Sequence, residues 1–135
     1  MRLTAYTDYS LRVLLYLAAK PEAMVTITEI ADYFNISRNH LVKVVHSLGI
    51  HEFISTCRGR NGGIKLARSA ENILLSDVIR KTEPDMDLLG CFKQNAGNCV
   101  ISPTCRLRSM LYEGRSAFMF ALEQMTLADA ARPIA

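Results

Sequence analysis

The sequence predicts a mainly α-helical protein with a small β-wing, organised as a winged helix-turn-helix domain followed by a long C-terminal dimerisation helix. Three observations predict this class. Amphipathic helix patterns fill the first 50 residues, an Asn-Gly hairpin signal follows them, and an apolar heptad-like pattern begins near residue 103. A chain of 135 residues suits one such domain with an added element and leaves no room for two enzyme domains.

Three helices are predicted in the first 50 residues. We expect Thr7 or Asp8 to cap the first, Thr26 or Thr28 to begin the second, and Ser37 to cap the third. The turn between the second and third helices is short enough for a helix-turn-helix. The first helix repeats apolar residues along one face (Leu11, Leu14, Leu15 and Ala18). The third does the same with Leu41, Val44, Val45 and Leu48.

The outward face of the third helix carries side chains that hydrogen-bond to base edges and phosphates. These candidate DNA-binding residues are Ser37, Arg38, Asn39, His40 and Lys43. Residues 35–68 also hold six basic residues against one acidic residue, in a chain whose net charge is only +3. A basic segment of this kind favours a polyanionic partner. The alternative is the ordinary polar face of an amphipathic helix.

A two-stranded wing is predicted next, with strands at 53–57 and 64–66. The Asn-Gly pair between them is typical of a hairpin turn in which both central residues have positive φ. Arginines at such a tip can enter a minor groove. The candidate DNA contacts here are Arg58, Arg60, Asn61 and Gly62. A plain surface hairpin is the alternative, but a basic wing directly after a helix-turn-helix indicates double-stranded DNA.

Three cysteines form a C-x7-C-x5-C pattern, Cys91, Cys99 and Cys105, and the last is expected in the first turn of the long helix. Partial positive charge at that helix end favours a thiolate, and soft thiolates select zinc, copper(I) or iron–sulfur clusters. The spacing matches neither a zinc ribbon nor a ferredoxin, and one ligand is missing. A redox thiol switch remains open. Cys57, in the first wing strand, is interpreted as buried packing.

The C-terminal half divides into further predicted segments. Ser76 is expected to cap a short helix that ends the DNA-binding domain (1–82), and a cluster-binding loop follows (83–105). Ser102-Pro103 should begin the dimerisation helix (103–127), with a tail at 128–135. The apolar spacing of the dimerisation helix predicts that a second copy of the chain packs against it. The homodimer would then present two DNA-reading helices to the two halves of a palindromic operator. The heptad-like positions are Leu107, Leu111, Gly114, Phe118, Ala121 and Met125.

Cellular location follows from hydrophobicity. Residues 1–10 are polar and lack the apolar segment of a secretory leader, and the longest apolar run, Val13 to Ala19, is too short to cross a bilayer. We expect a cytoplasmic protein without a membrane partner, in which cysteines are thiols or ligands rather than disulfides. No nucleophile–base pair or phosphate loop occurs in the sequence, so an enzyme is not expected.

Taken together, these motifs resemble the NsrR/IscR family of iron–sulfur transcription repressors, and within it the nitric-oxide-sensing members. The likeness spans nearly the whole chain. It rests on MRLT at 1–4, YTDY at 6–9, SRNH at 37–40, RGRNGG at 58–63 and TLAD at 126–129. Glu52 departs from it, because the family commonly has glycine there, and Ile50-His51 are also atypical.

The resemblance implies an iron–sulfur cluster on the three cysteines, with 4Fe-4S favoured over 2Fe-2S, and release of DNA by a homodimer when nitric oxide attacks it. Family members of the IscR type have a histidine where this chain has Arg108; the nitric-oxide sensors use an aspartate of the other subunit, matching Asp8. Arg12 lies four residues on, where it can pair with Asp8 and tune it. An N-cap or surface salt bridge is the alternative role for Asp8.

Two other functions stay open. An iron-responsive repressor of the same family would release DNA when its cluster is lost at low iron. A small redox or electron-transfer iron–sulfur protein belongs to a different class and gives the basic wing no role.

Overall fold

The computed structural model describes residues 1–93 and 99–131 of the chain. The described elements follow in the order α1 (Ala5–Ala18), α2 (Ile27–Phe34), α3 (Arg38–Ile50), β1 (Ile54–Cys57), β2 (Gly63–Leu66), α4 (Leu75–Thr82), α5 (Arg106–Glu123) and α6 (Leu127–Ala131). Short 3-10 helices lie at Ala70–Asn72, Gly90–Phe92 and Ser102–Thr104. The predicted class, mainly helical with a small β-wing, is confirmed.

Helix α1 is the centre of the domain, because α3, α4, α6 and β2 all pack against it. Its side chains Val13, Leu14 and Leu17 are fully buried in the core. Neither Thr7 nor Asp8 caps this helix, contrary to expectation. Thr4 has the extended backbone that an N-cap needs, and its hydroxyl accepts a hydrogen bond from the Thr7 N–H at 3.3 Å.

The helix-turn-helix forms as the sequence predicts. Thr26 caps α2 by accepting from the Glu29 N–H at 3.1 Å, and Asn35, the C-cap of α2, has a left-handed φ of 54°. Ser37 occupies the N-cap position of α3, although its side chain makes no capping hydrogen bond. The four predicted apolar residues of α3 are all buried (Leu41, Val44, Val45 and Leu48).

Glu52, just after α3, adopts a left-handed φ of 61°. The Phe53 N–H donates to the Leu48 carbonyl and the Glu52 N–H to the Gly49 carbonyl, which are the two hydrogen bonds of a Schellman helix end. Glycine is favoured at this position because a side chain is strained there. Glu52, which differs from the glycine common in the resembling family, therefore has a backbone conformation that favours glycine.

The wing is an antiparallel hairpin in which Ile54 lies opposite Leu66 and Cys57 opposite Gly63. Val25 pairs with Ile64 on the other edge of β2, so that β2 has partners on both sides. Cys57 is exposed, which corrects the expectation that it packs in the core. The reason is that β1 leaves the body of the domain at its end, where neither strand face is covered.

The turn of the wing also differs from the predicted one. Positive φ occurs at Gly59 (115°) and not at Asn61 or Gly62. The turn runs from Gly59 to Gly62, whose N–H donates to the Gly59 carbonyl at 3.0 Å. Gly62 is needed for close approach, because a Cβ there would lie 2.2 Å from the carbonyl oxygen of Cys57.

Two helix starts are corrected in the C-terminal half. Helix α4 begins at Leu75, so Ser76 lies inside it, fully buried, and does not cap it. Helix α5 begins at Arg106, because Ser102–Thr104 forms a separate 3-10 turn. Cys105 has extended backbone (φ −75°, ψ 106°) and stands at the N-cap of α5, not in its first turn.

The predicted single helix over 103–127 and the predicted tail from 128 are also wrong in part. Helix α5 ends at Glu123, and Thr126 and Asp129 then form reciprocal capping hydrogen bonds that begin α6. Leu127 is fully buried, and Ala131 is buried as well, because α6 packs against α1. Residues 132–135 of the predicted tail lie outside the described residues, as do 94–98 of the predicted loop.

Candidate nucleic-acid interface and thiol site

The outward face of α3 presents its predicted DNA-reading side chains to solvent. Ser37, Arg38, Asn39, His40 and Lys43 are all exposed. Two of them are braced by the neighbouring helices. The Arg38 guanidinium donates from Nε to the Thr28 hydroxyl at 3.1 Å, and the His40 ring stacks on Tyr9 of α1 with centroids 6.4 Å apart. The position of α1 thus affects where His40 points.

Val42 was missed by the sequence reasoning. Its side chain is 38% exposed on α3, between Asn39 and Lys43 along the sequence and one turn before His46, which is also exposed. Apolar side chains on a DNA-reading face contact the methyl group of thymine. The signal in the sequence was that Val42 stands outside the buried spacing of the helix.

The wing carries a second set of exposed basic and polar side chains. Arg58, Arg60 and Asn61 are exposed, and Gly62 is half-buried at the turn. Lys65 on β2, one of the six basic residues of 35–68, is exposed too, although it was not among the predicted DNA contacts. Arg68 instead packs its guanidinium over the Phe53 ring, 5.2 Å from the centroid. This second basic surface can neutralise phosphates or enter a groove.

The three cysteines of the pattern are free thiols. Cys91 is half-buried in the 3-10 helix Gly90–Phe92, Cys99 is exposed, and Cys105 is half-buried at the N-cap of α5. Thiols in this setting fit the soft-ligand chemistry of an iron–sulfur cluster, and the partial positive charge of the helix end beside Cys105 suits an anionic cluster. Within 1–93 and 99–131, however, no three His, Cys, Asp or Glu side chains are assembled for a metal ion.

Asp8 lies in the first turn of α1 and is engaged by Arg12. The Arg12 guanidinium donates from Nε to Oδ1 at 3.0 Å and from Nη2 to Oδ2 at 2.9 Å. This pairing raises the pKa of Arg12 above its usual value. Both side chains are about half-exposed (48% for Asp8 and 41% for Arg12), so the Asp8 carboxylate is accessible to another partner. The structure does not bring Asp8 into a ligand group with the cysteines in the described part of the chain.

Glu83 ties the start of the predicted cluster loop to the start of α1. Its Oε1 accepts from the Thr4 N–H at 2.7 Å and from the Thr4 hydroxyl at 3.0 Å. Burial by itself raises the pKa of Glu83, but hydrogen bonds from Thr7 and Thr4 outweigh burial and hold the pKa below its usual value. Sequence reasoning missed this contact because its partners are 79 residues apart.

Comparison with known proteins identifies the family of this chain. The family Rrf2, described as iron-dependent transcriptional regulator, matches residues 3–133. The chain belongs to the Rrf2 family. The HTH-type transcriptional regulator NsrR of Shouchella clausii is 45% identical over 96% of this chain and 87% of its own length. The NsrR of Bacillus subtilis is 47% identical over 96% and 89%, respectively.

A solved structure supports the fold. IscR from T. potens superposes on this Rrf2 chain with a TM-score of 0.80 at 20% identity, over 100% of this chain and 89% of that one. The resemblance seen in the sequence is therefore confirmed, and so is the prediction of a DNA-binding transcription regulator rather than an enzyme. Among the residues described, none of the helices has the length and apolar character needed to cross a bilayer.

Proposed function

We propose that this Rrf2 protein is a cytoplasmic repressor that binds a palindromic operator as a homodimer and senses nitric oxide through an iron–sulfur cluster. The observation that carries the proposal is the combination of an exposed reading face on α3 with three free thiols, one of them at the N-cap of α5. The relatives named NsrR, together with the resemblance to the nitric-oxide-sensing members seen in the sequence, support the choice of signal.

In this proposal α3 lies in the major groove and the wing in the adjoining minor groove. Arg38, Asn39 and His40 read base edges, and Val42 contacts a thymine methyl group. Ser37 and Lys43 bind phosphates. The wing residues Arg58, Arg60, Asn61 and Gly62 form the second contact, with the two arginines in the minor groove.

Homodimerisation through α5 is supported by its exposed apolar side chains. Leu107, Met110, Tyr112 and Phe120 are each more than half exposed, whereas Met119 is buried against the rest of the chain. A helix with so much apolar surface is stabilised when it is covered, and a second copy would cover it symmetrically. Two copies would also present two reading helices to the halves of a palindrome.

Cys91, Cys99 and Cys105 would hold the cluster, for which we favour the 4Fe-4S form, and Asp8 of the second subunit would be the fourth ligand. When bound, the cluster supplies iron that reacts with nitric oxide. The Asp8 carboxylate would then have two possible partners, the cluster and Arg12, because Arg12 donates to both of its oxygens in this structure. Arg12 would tune the strength of Asp8 as a ligand by competing for it.

The link to DNA would run along α1. Tyr9 follows Asp8 on this helix and stacks on His40 of the reading helix. A displacement of α1 that accompanies the change of partner at Asp8 would move His40, and the two reading helices would lose their spacing on the operator.

Anaerobic purification tests the proposal most directly. Iron, sulfide and the visible absorption spectrum are measured per chain, and operator affinity is then followed as nitric oxide is added. We expect cluster absorption and a loss of affinity with nitric oxide. A protein without iron and sulfide, or with affinity unchanged by nitric oxide, contradicts the proposal. Arg60→Ala should weaken DNA binding and leave the cluster spectrum intact.

An iron-responsive repressor is the second candidate, and the family description as iron-dependent favours it. The same protein can be titrated in parallel with an iron chelator and with nitric oxide. Release of DNA at the lower dose of chelator would favour iron as the signal.

A further inference from the structure

Arg115, on the second half of α5, contacts the segment that carries Cys91. Its Nη1 lies 3.3 Å from the Met86 carbonyl oxygen, to which it donates, and 3.6 Å from Oδ1 of Asp87. Its guanidinium carbon also lies 5.2 Å from the centroid of the Phe92 ring. A single side chain thus contacts both ends of the stretch 86–92.

The Arg115 guanidinium contacts one aromatic ring on its own helix α5 and another in the segment 86–92. Tyr112 lies one turn earlier on the same helix, with its centroid 4.7 Å from the guanidinium carbon of Arg115. The Phe92 and Tyr112 rings are 6.2 Å apart and inclined by 61°. Arg115 therefore packs against two rings that themselves meet edge to face, an arrangement suited to a planar cation.

The Arg115–Asp87 ion pair is better protected from water than the Arg12–Asp8 pair. The Arg115 and Asp87 side chains are 22% and 20% exposed, compared with 41% and 48% for Arg12 and Asp8. Partial burial reduces screening by salt, so this pair contributes more than an exposed one.

We propose that Arg115 is a positioning residue that holds the segment 86–92, and with it the thiol of Cys91, against α5. This rests on the proposed function, in which Cys91 and Cys105 hold the same cluster. Cys91 lies next to Phe92, and Cys105 stands at the N-cap of the helix that carries Arg115. Arg115 accordingly fixes one thiol relative to the other before any cluster binds.

The test uses cleavage of the full-length protein without a cluster by endoproteinase Lys-C. Lys93 is exposed and directly follows Phe92, so its cleavage rate reports how often this segment opens. Arg115→Met should raise that rate about tenfold, because methionine keeps an unbranched side chain and lacks the planar cation that stacks on the rings. Arg80→Met is the matched control, since Arg80 bridges α4 to Glu123 of α5 and should leave the rate unchanged.

Equal cleavage at Lys93 in Arg115→Met and the unchanged protein would overturn the proposal. Thermal unfolding checks that each variant folds. Should Arg115→Met not fold, Phe92→Leu removes the same contact from the loop side and should also accelerate cleavage. A second arm measures iron loss to a chelator, which Arg115→Met should accelerate about tenfold. If the unchanged protein binds no cluster, the proposed function fails, and the Lys93 rates still decide the role of Arg115.

Discussion

The backbone N–H and the hydroxyl of Thr4 both donate to one carboxylate oxygen of Glu83, at 2.7 and 3.0 Å. Thr4 is the N-cap of α1, and Glu83 follows directly after α4. The contact therefore joins the helix that carries Asp8 to the beginning of the segment that leads to Cys91. This carboxylate is a direct hydrogen-bonded link between that segment and α1.

Glu83→Gln is expected to lower stability near neutral pH and to make little difference in acid. The folded protein holds the pKa of Glu83 below its unfolded value, so the ionised form stabilises the fold above that unfolded pKa. This contribution is lost as pH falls from about 5 through the folded pKa, where the carboxyl group becomes protonated. Urea unfolding at several pH values should show the two proteins converging in acid. A constant difference at every pH would contradict the assignment.

Glu52→Gly should stabilise the protein. Glu52 has a φ of 61° at the end of α3, where a side chain costs about 1 kcal/mol relative to glycine. Part of that gain is offset by the greater freedom of glycine in the unfolded chain, so we expect a net gain of about 0.5 kcal/mol. Asn35→Gly is the control, because asparagine tolerates the same left-handed region at the end of α2. A loss of stability in Glu52→Gly would contradict this explanation.

Gly62→Ala should disrupt the wing, because the added Cβ would lie 2.2 Å from the Cys57 carbonyl oxygen and the backbone must move. We expect operator affinity to fall about tenfold while the helical core stays folded. Gly49→Ala is the matched substitution: it lies inside α3 with nothing within 4 Å, and it should raise stability by about 0.5–1 kcal/mol. Circular dichroism and DNA binding measured on both variants separate the two effects.

How far the sequence predicted this fold depends on the kind of interaction. The buried face of α3 was predicted completely, because helical spacing marks a surface that stays against the core along its whole length. The alternation of side chains along β1 predicted that Cys57 is buried, and this was wrong, because a strand that projects from the domain has no covered face. Local spacing contains no information on where a wing leaves the body.

Contacts between distant residues were beyond the sequence reasoning for a different reason. The Thr4–Glu83 and Arg115–Phe92 contacts join residues that are far apart in the chain. Thr126 and Asp129 illustrate the intermediate case. Their spacing is that of a capping pair, but the continuous apolar pattern around them favoured a single long helix. The candidate DNA-binding side chains of α3 are exposed as the helical spacing predicts, whereas exposed Val42 was missed because apolar residues are expected inside.

Val42→Ala should abolish a preference for thymine at one operator position. The operator is first selected from random DNA with the unchanged protein, and each thymine is then replaced by deoxyuridine, which lacks only the methyl group. For the unchanged protein, one such replacement should weaken binding about threefold to tenfold. Val42→Ala should bind the thymine and deoxyuridine operators almost equally. If every replacement affects both proteins alike, Val42 makes no methyl contact; if selection enriches no sequence, the proposal of operator binding fails first.

Cys105→Ala is expected to lose the cluster, whereas Cys57→Ala should keep it. The two thiols are both free, but only Cys105 stands at the N-cap of α5, where the partial positive charge of the helix end suits an anionic cluster. Each variant is purified without oxygen, and iron and sulfide are measured per folded chain. Cys105→Ala should retain less than about one tenth of the iron of the unchanged protein, because loss of one thiolate leaves too few ligands. Cys57 is exposed at the end of β1 and belongs to the wing, so its substitution should leave the iron content unchanged and alter DNA binding at most. Equal iron in both variants would remove Cys105 from the ligand set.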